Sequence, residues 1–94
     1  MNDMDGETFT AFVTKYALTM GIMKIEKAHV SRGSPGMLCT PRSGYFHIEG
    51  KDWHRTEEAA YERADKMRAA KLSALKKQAA RIQSMTFQVK DVAP

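Results

Sequence analysis

Apolar and polar residues fall in short runs as far as residue 55, then switch to a helical period that meets no Gly or Pro before residue 85. In the first stretch Phe9, Phe12, Val13, Tyr16, Ala17 and Met20 fit helical spacing. The β-branched and aromatic content of residues 8–16 favours a strand instead, with Phe12, Thr14, Tyr16 and Leu18 on one face. Strand is the preferred reading of residues 8–20, and helix stays open as the alternative. Gly21 marks a turn, and residues 22–31 read as a second strand with Ile25 at its apolar centre. Arg32-Gly33-Ser34-Pro35-Gly36 is a dense turn signal. A short apolar piece, residues 37–40, precedes Pro41 and the loop Arg42-Ser43-Gly44. Residues 45–49 and 52–55 then flank Gly50-Lys51, a two-residue loop whose leading Gly suits a type II′ hairpin turn. That loop predicts pairing of Glu49 with Asp52, Ile48 with Trp53, His47 with His54 and Phe46 with Arg55. Phe46, Ile48 and Trp53 would share one face, and His47 and His54 would meet on the other.

Thr56 suits the N-cap of the segment that follows, and Glu57 and Glu58 occupy its first turn. Ala60, Ala64 and Met67 form one stripe, continued with some angular drift by Leu72, Leu75, Ala79 and Ile82. The uninterrupted run over 57–85 would make a helix roughly 43 Å long. A sheet of such short strands covers less than that, so the last two or three turns project, self-associate or dock on a partner. The expected fold class is α+β: a small antiparallel sheet of three or four strands followed by one long C-terminal helix packed across a face. The expected organisation is a single domain over 1–94, with a loose N-terminal tail (1–7), a β-rich part (8–55), the helix (56–85) and a tail (86–94) in which 87–89 could add a short strand.

Charge changes the picture of the helix more than that of the whole chain. The formal net charge is +4, yet residues 1–65 hold 8 basic and 10 acidic groups while residues 66–94 hold 7 and 1. The helix is acidic where its dipole favours anions and basic toward its C-terminus. Such segregation points to nucleic acid or to an acidic protein face, against the plainer alternative of a solvated face that keeps a small protein soluble. A single cysteine, Cys39, excludes an intramolecular disulfide and fits a reducing cytoplasm. No apolar run reaches the roughly 20 residues that span a bilayer.

Candidate chemistry is sparse, and an enzyme is the least supported class. Cys39 with a histidine is the only nucleophile-base pair on offer, with nothing local to activate the thiol, so no catalytic residue and no cofactor is expected. His47 and His54, opposed across the predicted hairpin, would still need two further ligands from His29 and Cys39, and no metal-ligand spacing supports a metal site. The Gly33 loop lacks the Gly-Lys-Ser/Thr ending of a phosphate loop. Partner binding has better support. Lys66, Arg68, Lys71, Lys76, Lys77 and Arg81 offer cations to phosphates, and His47 and His54 offer side-chain contacts. The 3-4-3 spacing of Leu72, Leu75, Ala79 and Ile82 also allows a homodimer through a short coiled-coil seam, although packing onto the sheet explains the same residues.

The string Lys15-Tyr16-Ala17-Leu18-Thr19-x-Gly21-Ile22, followed by Tyr45-Phe46-His47 and Gly50-Lys51-Asp52-Trp53-His54-Arg55-Thr56, resembles a family of small bacteriophage and prophage proteins. The likeness continues through Glu57-Glu58-Ala59, Arg63-Ala64, Met67-Arg68, Lys71 and Ser73-x-Leu75-Lys76-Lys77-Gln78, and covers most of residues 12–83. It departs at residues 1–10 and in the 32–42 loop. The resemblance implies a phage genome, whose small non-enzymatic proteins regulate phage genes or disable host defences; inhibitors of CRISPR surveillance complexes are of this size. By that analogy the expected function is a cytoplasmic interaction protein that binds a host defence ribonucleoprotein and blocks nucleic-acid access. The alternative is a small nucleic-acid-binding regulator of phage transcription or recombination.

Overall fold

A computed structural model describes residues 7–93 and shows an α+β arrangement, a five-stranded antiparallel sheet followed by one long helix. The elements run β1 (Phe9–Val13), α1 (Ala17–Met20), β2 (Met23–Val30), β3 (Leu38–Cys39), β4 (Tyr45–Phe46), β5 (Trp53–His54) and α2 (Glu57–Gln83). The sheet has one strand more than the upper expectation, in the order β4-β3-β2-β1-β5. The loose tail expected over residues 1–7 lies, apart from Glu7, outside the described residues.

Residues 8–20 divide between the two competing readings. β1 takes the β-branched and aromatic part, then the chain turns at Thr14 and closes one helical turn that Gly21 ends with a φ of +82°. β1 lies between β2 and β5, and a bulge interrupts its pairing with β2: Phe9 faces Ala28, but Ala11 faces Ile25. The extra residue sits on β2, where Lys27 adopts a φ of +61°. Because side chains alternate along a strand, the bulge switches parity and lets Ile25 and Ala28 serve the same face.

That face carries the core, made of Ala11, Val13, Ala28, Leu38, Phe46 and Trp53, with Phe9, Met23, Ile25 and Val30 packed against it. The loop after β2 closes over one side, and Trp53 Nε1–H donates to the Gly36 carbonyl at 2.8 Å. Arg55 stacks its guanidinium over both Phe9 and Trp53, at 4.7 and 5.3 Å from the ring centroids. Phe12, Thr14 and His54 occupy the opposite parity and therefore the opposite face.

The predicted hairpin around Gly50-Lys51 does not form. Its two arms, β4 and β5, lie at opposite edges of the sheet, β4 on β3 and β5 on β1. Between them the chain makes a compact turn in which the Ile48 carbonyl accepts from Lys51 N (3.2 Å) and Asp52 N (2.7 Å), and Gly50 N–H donates to the Trp53 carbonyl (2.8 Å). Gly50, with a φ of +89°, does supply the left-handed conformation the local sequence called for. The physical reason for the difference is competition for partners. Pairing with β3 and β1 extends the sheet at both edges and buries Phe46 and Trp53 in one core, whereas pairing with each other would leave the outer edges of β1 and β3 unmatched. Ile48, expected on the apolar face, is half exposed as a result.

Thr56 caps α2 as predicted, its hydroxyl accepting from Ala59 N–H at 3.1 Å. The helix does not pack across a sheet face. Its base alone touches the sheet: Ala60 is buried, Ala59, Arg63, Ala64 and Met67 are half-buried, and every residue from Arg68 to the end of the helix is exposed. Residues 87–89 form no strand and lie in the open. The outcome is an elongated shape with principal extents of 69 × 36 × 19 Å.

Candidate functional site

Where α2 meets the sheet, the end of β1, the Gly50 turn and the first helical turns are tied by one carbonyl. Lys51 O accepts from the Thr14 hydroxyl at 3.1 Å and from Arg63 Nε–H at 3.3 Å, which uses both of its lone pairs. Thr14 N–H donates in turn to Asp52 O at 2.9 Å. Thr14 is fully buried, and its Oγ1 lies 2.8 Å from Nε2 of His54, itself only 4 % exposed. A carbonyl can only accept, so the one hydroxyl proton of Thr14 goes to Lys51 O and Nε2–H must donate to Oγ1. His54 carries its proton on Nε2 and leaves a lone pair on Nδ1. Burial, and then the positive charge of Arg63, pull its pKa below the usual 6.5 against the opposing carboxylates of Glu49 and Asp52.

His54 lines a shallow cleft of about 260 Å³ together with Gly50, Ala59, Glu62, Arg63 and Lys66. The cleft brings together two of the sequence candidates, His54 and Lys66. It separates His54 from His47: the expected cross-strand histidine pair is absent, because His54 is paired with Phe12 across β1 while His47 is exposed in the β4–β5 connection. His29 and Cys39 face each other across β2 and β3, on the other side of the sheet order from His54. Among the described residues no group of three His, Cys, Asp or Glu side chains is placed to hold a metal ion.

The remaining candidates lie along the exposed length of α2. Residues 59, 63, 66, 70, 74, 77 and 81 follow one another by threes and fours, so Arg63, Lys66, Lys77 and Arg81 share one side of the helix with small residues between them. That side leads out of the cleft and runs about 27 Å from Arg63 to Arg81 at the helical rise. Lys71 and Lys76 fall off the line. So does Arg68, which is ion-paired with Asp65 at 2.7 Å. Leu72, Leu75 and Ile82 cluster on roughly the opposite side, exposed.

Sequence reasoning missed Arg63 and Thr14. Arg63 is legible in the same three-and-four spacing, but it stands as the one cation among Glu57, Glu58, Glu62 and Asp65 and so reads as part of the acidic start of the helix. Thr14 left no signal, because its role depends on a turn 37 residues away. No family model matches this chain, and no curated protein or solved structure matches it either.

Proposed function

We propose that this chain is a phage-encoded, non-enzymatic interaction protein that binds and inhibits a host defence complex, most concretely a CRISPR-type ribonucleoprotein, by blocking nucleic-acid access. The observation that carries the reading is the basic line Arg63, Lys66, Lys77 and Arg81 on a helix whose outer turns are exposed along their whole length among the described residues. A long cationic rod that buries no side chain beyond Met67 among the described residues spends backbone order without core packing in return. Contact with phosphates or an acidic protein face accounts for it. Residues 66–83 hold six cations and no acid, so the affinity they supply is electrostatic, insensitive to base sequence and weakened by salt. The phage origin comes from the sequence resemblance, and the site of action is then the host cytoplasm. In this mechanism no bond is made or broken. The bound protein occupies a surface that target DNA needs.

The test is capture of tagged protein from host lysate, with and without nuclease, identifying both the proteins and the nucleic acids recovered. A discrete ribonucleoprotein in stoichiometric amount is the expected result. Reversal of Lys77 and Arg81 to Glu should lower its recovery about tenfold or more, and reversal of Arg68 and Lys76 much less. Normal capture by the Lys77/Arg81 variant would reduce the basic line to a solubility feature. Heterogeneous nucleic acid alone, lost with nuclease or high salt, would identify a regulator of phage transcription or recombination instead.

A further inference from the structure

We propose that the cleft between the Gly50 turn and the base of α2 binds one ribose-phosphate unit of single-stranded RNA, its 2′-hydroxyl on Nδ1 of His54 and its phosphate on Arg63 and Lys66. The proposal rests on the interaction reading above and names the nucleic acid the basic line meets.

The first observation is an acceptor waiting for a donor. Nε2–H of His54 is committed to Thr14, which is fully buried and does not line the cleft, whereas His54 itself does, so Nδ1 is the ring atom left to meet a ligand there. No described residue donates to Nδ1. Burial and Arg63 keep the ring neutral, so that nitrogen stays an acceptor near neutral pH. The second is a pair of donors beside it. Arg63 is held by its Nε–H on Lys51 O, and among the described residues its terminal nitrogens have no partner. Lys66 follows three residues on along the same side of α2 and likewise has no ion-pair partner among the described residues. The third is size. At about 260 Å³ the cleft is smaller than the roughly 300–1,000 Å³ of sites that enclose a whole small molecule. It fits a backbone unit whose base stays outside.

These features select RNA over DNA. A phosphodiester carries no proton, and deoxyribose has no hydroxyl at the 2′ position, so a DNA backbone would leave Nδ1 unsatisfied inside a desolvated wall. Ribose offers the missing donor one bond away from the position that bears the 3′-phosphate oxygen. Glu62, on the rim, opposes the phosphate and sets a ceiling on affinity.

The experiment titrates the full chain with a short oligouridylate, the matching oligodeoxyuridylate, a 2′-O-methyl oligouridylate and inorganic phosphate, reading affinity and the ring-nitrogen NMR signals of His54. The expected result is RNA binding roughly three- to tenfold tighter than DNA, the worth of one hydrogen bond, with Nδ1 shifted by RNA alone and the 2′-O-methyl polymer behaving as DNA. Arg63→Gln should weaken both polymers and Glu62→Gln should tighten both. If Arg63→Gln fails to fold, Lys66→Gln on the exposed rim takes its place. Equal affinity for RNA and DNA overturns the proposal, as does RNA preference with Nδ1 unmoved. Inorganic phosphate shifting Nδ1 as far as RNA does would make this a free-anion site and also overturn it. A captured host complex with neither polymer bound removes the RNA subsite and leaves the interaction reading standing. RNA preference at His54 with no complex captured does the reverse.

Discussion

His54 shows how burial sets the chemistry of a single residue. With its folded pKa below 6.5, the unfolded chain binds the proton more readily than the folded one. The stability linked to the neutral ring is fully present above about pH 6.5 and is lost as pH falls through the lowered folded value. Urea midpoints measured from about pH 7.5 down to about pH 5 should therefore drop. The drop should be shallower in His54→Gln, which removes the titration. Lys27 makes a different use of position. It holds a left-handed conformation at the β1–β2 bulge, where a side chain costs about 1 kcal/mol that glycine does not incur. Lys27→Gly should raise stability by up to about that amount in equilibrium denaturation, with the fold unchanged. Neither residue advertised its role in the sequence: a histidine in an alternating segment reads as exposed, and a lysine mid-strand reads as an ordinary outward position.

Among the elements, α2 was the most legible and β4 and β5 the least. Helix existence, its cap and its apolar start rest on interactions within four residues, which spacing reveals. Thr56→Ala should cost about 1 kcal/mol, seen in the thermal midpoint, because the cap hydroxyl satisfies Ala59 N–H. The outer apolar residues behave otherwise. Leu72, Leu75 and Ile82 are each about half exposed, so replacing all three with Ser should leave the unfolding midpoint of the sheet within about 0.5 kcal/mol per site. A large loss would mean that the outer helix packs on something in solution. The hairpin misreading arose because Gly50-Lys51 carries correct turn chemistry but nothing about which strand each arm will join. Two-residue arms have little pairing energy of their own, so the edges of β1 and β3 decide.

For the whole molecule, the detached helix dominates. The radius of gyration is 20.3 Å, against about 13 Å for a compact chain of this length. Such a shape should sediment slowly for its mass. The cations of residues 66–83 also repel a second copy along the helix, so any dimer through Leu72, Leu75 and Ile82 should appear only when salt screens them. Sedimentation velocity across an ionic-strength series measures both effects. Dimer at low salt would instead show that apolar burial outweighs the repulsion.

The chain by itself determined its class, the helix and its cap, the second strand, the charge segregation and the cations available to a partner. All of these depend on local spacing and composition. Only the tertiary structure decided which edges β4 and β5 joined, that residues 8–20 split into strand and turn, that His47 and His54 parted, and that Thr14, Lys51, His54 and Arg63 met in one hydrogen-bonded cluster beside the cleft. Those outcomes turn on competition between distant segments for the same hydrogen bonds and the same core, which no local pattern records.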